Sequence, residues 1–284
     1  MGIPFVKMQG AGNDYVYVDA AACPIPDPAA LSRAVSRRRF GVGADGLVLV
    51  LPSERADFRV RVFNADGSEA PICGNACRCV GKLVYDRGMT RKTSLTLETG
   101  AGLRALELFP GPDGRVEGAR VEMGRASFLT RDIPAAASLP RLAGYPVRLL
   151  GREWRLTALS VGNPHAVIPC RDPAALDLGR LGPAVQALPL FPQGVNVEFI
   201  RMEGPRALSM RVWERGSGET WACGTGACAA AAAAVELGLC PAGEEIRVRC
   251  RGGELSILCR EDGTLAMAGP AVTVFSGEYP WPAP

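Results

Sequence analysis

The sequence predicts an α+β protein of two similar lobes, and three observations lead there. The chain matches itself at a fixed offset, strand-like segments dominate it, and each half carries a cysteine at the head of a helix-like run. The match lies at 150 positions. Gly12-Asn13-Asp14 falls on Gly162-Asn163-Pro164, and Arg61-Val62-Phe63-Asn64 on Arg211-Val212-Trp213-Glu214. In the same register Glu69 falls on Glu219, Cys73-Gly74 on Cys223-Gly224, and Gly88 on Gly238. One register held through so many polar and glycine positions marks a tandem duplication.

The elements repeat as well. Arg59 to Asn64 and Leu208 to Glu214 alternate apolar with polar residues, the period of a half-buried strand. Each leads through a glycine-rich turn to a cysteine and a helical run: Cys73 to Arg87 closed by Gly88, and Cys223 to Leu237 closed by Gly238. Ala229 to Ala234, followed by Val235, is apolar all round, which predicts a helix buried on every face and running through the middle of its lobe. Leu95 to Leu108 and Glu245 to Leu258 read as strands, with turns at Asp113-Gly114 and Asp262-Gly263. Gly10-Ala11-Gly12 and Gly41-Val42-Gly43 lack the spacing of a dinucleotide fingerprint and read as turns. Pro134 to Pro146, rich in Pro and Ala, predicts the linker, giving lobes 1–130 and 131–284. The Tyr279-Pro280-Trp281-Pro282 tail is expected at the periphery.

Composition excludes several function classes. The hydrophobic content is 48%, and 32 basic residues face 29 acidic ones, with only Arg37, Arg38 and Arg39 clustered. That is a solvated face and not a nucleic-acid footprint. The apolar start, Ile3 to Val6, is broken by Pro4 and ended by Lys7, so no signal peptide is expected. Nothing approaches the roughly 18 apolar residues of a membrane span. We expect a cytoplasmic protein acting on a small molecule, with no nucleic-acid or membrane partner, and with its ten cysteines reduced.

Two cysteines at two helix starts point to chemistry. A helix N-terminus favours the thiolate and is expected to lower the thiol pKa towards neutrality. The same helix starts offer backbone N–H groups, at Gly74 and Asn75 and at Gly224 and Thr225, to a carboxylate. Inverting a stereocentre by proton transfer needs a base on one face of the carbon and an acid on the other, and a duplication supplies a matched pair. The expected reaction is therefore amino-acid racemisation or epimerisation with Cys73 and Cys223 as the two groups, each transfer contributing on the order of 10²–10⁴ in rate. A free cysteine is more often a small buried hydrophobe, and Cys23, Cys170, Cys240, Cys250 and Cys259 are read so. A zinc site from Cys73, Cys77, Cys79 and Cys228 would occupy helix interiors, so no metal is expected. Pyridoxal phosphate needs a Schiff-base lysine, and Lys7, Lys82 and Lys92 all lie outside the repeated motifs, so no cofactor is expected.

Asn64-Ala65-Asp66-Gly67-Ser68-Glu69 leading to Cys73-Gly74-Asn75, with Glu214-Arg215-Gly216 leading to Ala222-Cys223-Gly224-Thr225-Gly226, resembles the diaminopimelate epimerases. Gly12-Asn13-Asp14, Asn163-Pro164-His165, Asn196-Val197 and Gly269-Pro270 fall in the family's order, so the resemblance covers nearly the whole chain. It implies epimerisation of LL- to meso-diaminopimelate in lysine and cell-wall synthesis. By motif position Cys73 and Cys223 become the acid/base pair, with His165 and Glu214 assisting their ionisation. Gly74, Asn75, Gly224 and Thr225 would hold the reacting carboxylate. Asn13, Asn64, Asn163, Asn196 and Arg215 would hold the rest of the substrate, and lysine, lacking the distal carboxylate, would leave a buried Arg215 unpaired. The resemblance further implies lobes that are mixed, mostly antiparallel β-barrels or rolls around a central helix, a final strand that returns to the first lobe, and a homodimer. Two positions depart: Ala76 stands where the family usually has glycine, and Gly46 where many members have glutamine. The rival readings are a proline racemase or hydroxyproline epimerase, which would carry histidine where Asn75 stands, and a cysteine-rich metal-binding or redox protein.

Overall fold

The computed structural model describes residues 2–281. It divides into two compact units, Met1–Glu122 with Ala268–Pro284, and Met123–Met267. The chain opens with β1 (Gly2–Gly10), β2 (Asn13–Asp19), α1 (Pro28–Val35), β3 (Gly46–Leu51), β4 (Phe58–Asn64), β5 (Glu69–Ala70), α2 (Gly74–Asp86), β6 (Ser94–Thr99), β7 (Gly102–Pro110) and β8 (Val116–Arg125). It continues with β9 (Tyr145–Leu149), β10 (Arg152–Ser160), β11 (Pro164–Pro169), α3 (Leu178–Gln186), β12 (Asn196–Gly204), β13 (Ala207–Glu214), β14 (Gly218–Thr220), α4 (Gly224–Glu236), β15 (Glu245–Cys250), β16 (Gly253–Cys259), β17 (Thr264–Pro270) and β18 (Val272–Pro280).

The duplication is visible strand by strand. In the first unit β1–β2 pair antiparallel, β2–β3 parallel, β3–β4 antiparallel, β4–β6 parallel and β6–β7 antiparallel. In the second unit β10–β11, β11–β12, β12–β13, β13–β15 and β15–β16 repeat that sequence of directions. Register agrees too: Tyr15 lies opposite Gly46, and His165 opposite Asn196. The lobes are thus mixed, mostly antiparallel sheets wrapped on a helix.

Each unit buries one helix. From Gly74 to Val84 every residue of α2 is buried, and α4 is buried through Ala234 except for the half-buried Thr225. α4 packs against β10, β11, β12, β13, β15 and β16. Close approach on every side leaves room only for small side chains, which is why Ala229 to Ala234 stand there. The helices start and stop alike. Cys73 and Cys223 are extended N-caps, one position ahead of the first helical residue. Gly88 (φ 70) and Gly238 (φ 69) take the left-handed position after the C-cap. There the N–H groups of Met89 and Leu239 donate back to the carbonyls of Val84 and Ala234 at 2.9 and 2.8 Å.

Three expectations need correction. Pro134 to Pro146 is no linker: it lies inside the second unit, where Leu142 within it and Ile133 just ahead of it are buried in the core. The division falls at Glu122/Met123 instead of 130/131. The tail is an ordered strand, because β18 pairs antiparallel with β1 from Gln9↔Val272 to Gly2↔Pro280, and Tyr279 and Trp281 pack on the first unit's core. Pro282 lies outside the described residues. Two helices escaped the sequence reading, α1 and α3. α1 is capped by Asp27, whose side chain accepts from Ala30 N–H at 2.9 Å, and α3 buries Leu178, Leu181 and Val185 at helical spacing.

Gly46 belongs to this architecture. A Cβ there would stand 2.0 Å from the carbonyl oxygen of Phe63 and 2.8 Å from the Tyr15 ring. Backbone cannot move aside cheaply. Gly46→Ala should therefore cost roughly 3 kcal/mol or more, read as a fall in the urea midpoint. An unchanged midpoint would mean that β3 and β4 are less tightly fixed than their register indicates.

Candidate active site

In the first unit the Cys73 sulfur accepts the Ala76 N–H at 3.4 Å, and its S–H donates to Asn13 Oδ1 at 3.5 Å. Asn75, almost fully buried, donates to the same oxygen at 3.2 Å. Asn13 is oriented from behind by Asp45, whose Oδ2 accepts from Asn13 Nδ2 at 2.8 Å and from Asp14 N–H at 3.1 Å. Asp14 is in turn paired with Lys7 and Arg38. Burial pushes the Asp45 carboxyl up, and the neighbouring Asp14 adds to this. Asn64 sits apart in the β4–β5 turn, where its amide donates to Ser68 Oγ at 3.0 Å.

In the second unit the Cys223 sulfur accepts the Gly226 N–H at 3.3 Å and lies 3.4 Å from Thr225 Oγ1. Asn163 Nδ2 donates to that hydroxyl at 3.4 Å, and Asn163 Oδ1 lies 2.8 Å from His165 Nε2. His165 Nδ1 is 2.7 Å from Glu198 Oε1, and both side chains are wholly shielded from solvent. Glu214 accepts from the Thr220 hydroxyl and bonds with the Cys223 thiol. Asn196, buried, is committed to backbone at both ends: it donates to the Pro164 carbonyl at 3.2 Å and accepts from Arg215 N–H at 2.8 Å.

Two expectations about this unit fail. The Cys223 thiol is not lowered but pushed well above its ordinary value, by burial first and then by Glu214 and Glu198. The helix start still contributes, since the Gly226 N–H and the Thr225 hydroxyl pull the other way, but desolvation outweighs them. Arg215 is exposed and not buried, because it lies on the β13–β14 turn, where its guanidinium donates to the Gln193 carbonyl at 3.1 Å. A lysine substrate would leave it to water, so the expected penalty does not follow from burial.

The structure adds Glu198, Asp45 and Thr220 to the residues singled out from sequence. Glu198 had a signal: it is the lone acid inside the apolar run Val197 to Ile200, buried throughout. Of the thiols read as packing residues, burial pushes Cys259 to about 12 and Cys170 to about 11, and Cys77, weighed as a zinc ligand, is pushed to about 12 as well. All three lysines are committed to carboxylates: Lys7 to Asp14 at 2.5 Å, Lys82 to Asp86 and Lys92 to Asp57, each at 2.6 Å.

Solved structures share this fold. A solved Bacillus anthracis protein of the PhzF phenazine-biosynthesis family superposes with a TM-score of 0.70 at 18% identity, covering 98% of this chain and 99% of that one. A probable proline racemase from Agrobacterium radiobacter gives 0.69 at 18% identity, covering 97% and 92%. These likenesses establish the fold. The chain itself belongs to the diaminopimelate epimerase family, whose model matches residues 5–129 and 157–274. It is 46% identical over 275 residues to the diaminopimelate epimerase of Acetivibrio thermocellus, covering 96% of this chain and 97% of that protein. To that of Desulfovibrio desulfuricans it is 48% identical over 286 residues, covering 98% and 99%.

The Glu214 carboxyl is pushed above its ordinary value of 4.5, chiefly by burial. A carboxyl with a raised native pKa keeps its proton longer folded than unfolded. Its contribution is fully present below the unfolded value and is lost as pH rises through the folded one. Glu214→Gln, a mimic of the protonated form, should match the parent's urea midpoint near about pH 4 and exceed it at about pH 8. A variant less stable at the higher pH would contradict the sign.

Proposed function

We propose that this protein interconverts LL- and meso-diaminopimelate without a cofactor, one thiol removing the α-proton and the other returning a proton to the opposite face. The observation that carries the reading is the paired N-cap: in each unit a cysteine sulfur accepts the N–H three residues on, at 3.4 Å for Cys73 and 3.3 Å for Cys223. Family membership and the names of the relatives support the substrate. The orphan N–H groups at Gly74 and Asn75 and at Gly224 and Thr225 suit the substrate's reacting carboxylate, where negative charge grows as the α-proton leaves.

Burial holds Cys223 as a thiol, the form that gives a proton. To act as base in the other direction it must first lose that proton, and Glu214, in hydrogen bond with it, is the acceptor. Asn13 and Asn163, at matching positions of the two repeats, contact the substrate beside the thiols. Arg215, exposed on its turn, meets the distal carboxylate. We further propose that the protein works in the cytoplasm as a homodimer. Among the described residues no helix is long and apolar enough to cross a membrane.

Cys73→Ala and Cys223→Ala should each lower kcat for interconversion by at least about a hundredfold while leaving the circular dichroism spectrum unchanged. Exchange of the α-hydrogen in D₂O, followed for LL- and meso-diaminopimelate separately, shows which proton transfer each variant retains. Full interconversion by either variant ends the two-thiol reading. Equal turnover of proline or lysine would end the substrate assignment alone.

A further inference from the structure

The polar chain behind Cys223 has a direction, and one buried carboxylate sets it. Asn163 turns its Nδ2 to Thr225 and its Oδ1 to His165 Nε2 at 2.8 Å, so an acceptor faces that ring nitrogen and Nε2 must carry a hydrogen. On the other side Glu198 Oε1 stands 2.7 Å from Nδ1. Burial raises the Glu198 carboxyl, and in its protonated form it donates to Nδ1 and leaves the ring's hydrogen on Nε2. The donors then run one way: His165 Nε2–H to Asn163 Oδ1, Asn163 Nδ2–H to Thr225 Oγ1, and the Thr225 hydroxyl, its one hydrogen left free, to the Cys223 sulfur 3.4 Å away. With a bare lone pair on Nε2 the Asn163 amide would reverse, Thr225 would donate to Asn163, and the sulfur would keep the Gly226 N–H but lose its hydroxyl donor.

We infer that Glu198 is a positioning residue that fixes the polarity of this chain and so keeps a hydroxyl donor on the Cys223 sulfur. The charged and titratable groups around it are His165 on β11, Glu214 on β13 and Cys223 at the head of α4. Bulk solvent does not reach the pair, since the Glu198 and His165 side chains have no exposed surface. The carboxylate is also seated closely on α4: a Cβ at Gly226 would stand 2.8 Å from Glu198 Oε1. The inference rests on the proposed two-thiol reading for what the chain serves, but the protonation of the ring is read without substrate.

His165 is the single histidine of the sequence, so ¹⁵N-histidine labelling of protein free of affinity histidines gives one pair of ring signals. The parent should show Nε2 protonated across the active pH range. Glu198→Met, which fills the space without donor or acceptor charge, should give mixed ring tautomers and lower kcat/KM about tenfold, a loss of the size expected when an orienting partner is removed. In Glu198→Gln the amide can donate to Nδ1, so protonated Nε2 and activity within about threefold of the parent should return. An unprotonated Nε2 in the parent overturns the inference. So does a Met variant with the parent's ring signals and activity. Should the Met variant fail to fold, the Gln variant decides: protonated Nε2 with activity supports the inference, and unprotonated Nε2 with full activity overturns it. Parental ring signals in protein that does not epimerise diaminopimelate would leave the chain's polarity standing and remove only the proposed reading.

Discussion

A helix buried on every side has unpaired backbone polar groups only at its ends, and that constraint organises each unit of this protein. Strands surround α2 and α4, so the backbone is satisfied within the helix except for the first N–H groups, which must find partners at the N-terminus. A cysteine sulfur takes one of them in each unit. The capping bond thereby fixes each sulfur at the head of a buried helix. Small side chains follow from the same packing: alanines along α4, and Gly81 on α2, where a Cβ would meet Leu108 at 2.6 Å.

The duplicated frame has been kept while its lining diverged, and the differences are chemically coherent. At matching positions Tyr15 and His165, Val48 and Glu198, Asn64 and Glu214, and Asn75 and Thr225 line the first and second units respectively. The second unit sets a histidine and two carboxyls behind its thiol, whereas the first sets the Asn13 and Asn75 amides there, with Asp45 behind Asn13 and the buried Arg78 and Tyr17 among the groups that act on Cys73. This explains the glycine that became alanine. Ala76 corresponds to Gly226, and only at Gly226 does a carboxylate oxygen crowd the space a Cβ would fill. With Val48 at the strand position matching Glu198, alanine fits in the first turn of α2 and is fully buried. Gly46, matching Asn196, is glycine because Phe63 closes over it.

Local signals carried much of this into the sequence. The offset register, the two strand–turn–cysteine–helix units, the closing glycines and the all-apolar α4 were legible because each depends on neighbours a few residues away. α1 and α3 also had readable marks, and the offset itself links residues 28–35 to 178–185, but the motifs near the cysteines drew the reading elsewhere. The final strand was implied by the resemblance alone, and it left no local signal for a physical reason. β18 is exposed along almost its whole length, so it shows no burial period, and its partner β1 lies at the other end of the chain. Burial of particular charges was legible only in part. The apolar run Val197 to Ile200 is the one local mark that Glu198 is enclosed, and nothing local tells that Arg215 is not.

The Cys223 thiol shows how such long-range terms decide chemistry. From sequence the helix N-terminus was the only term visible, and it favours the thiolate by an amount that fades within a turn. Folding adds desolvation and two carboxylates, each of which favours the thiol, and their sum is larger. For a nucleophile held ready as an anion this would be a defect. On the proposed two-thiol reading the group must give a proton in one direction and take it in the other, and the burial that raises the thiol also raises the Glu214 carboxyl beside it, making that carboxyl a better proton acceptor than an ordinary one. The helix N–H groups then act on whichever partner carries the charge. The site is thus arranged around where the proton sits, and a permanently ionised sulfur would serve only one direction of an exchange between stereoisomers.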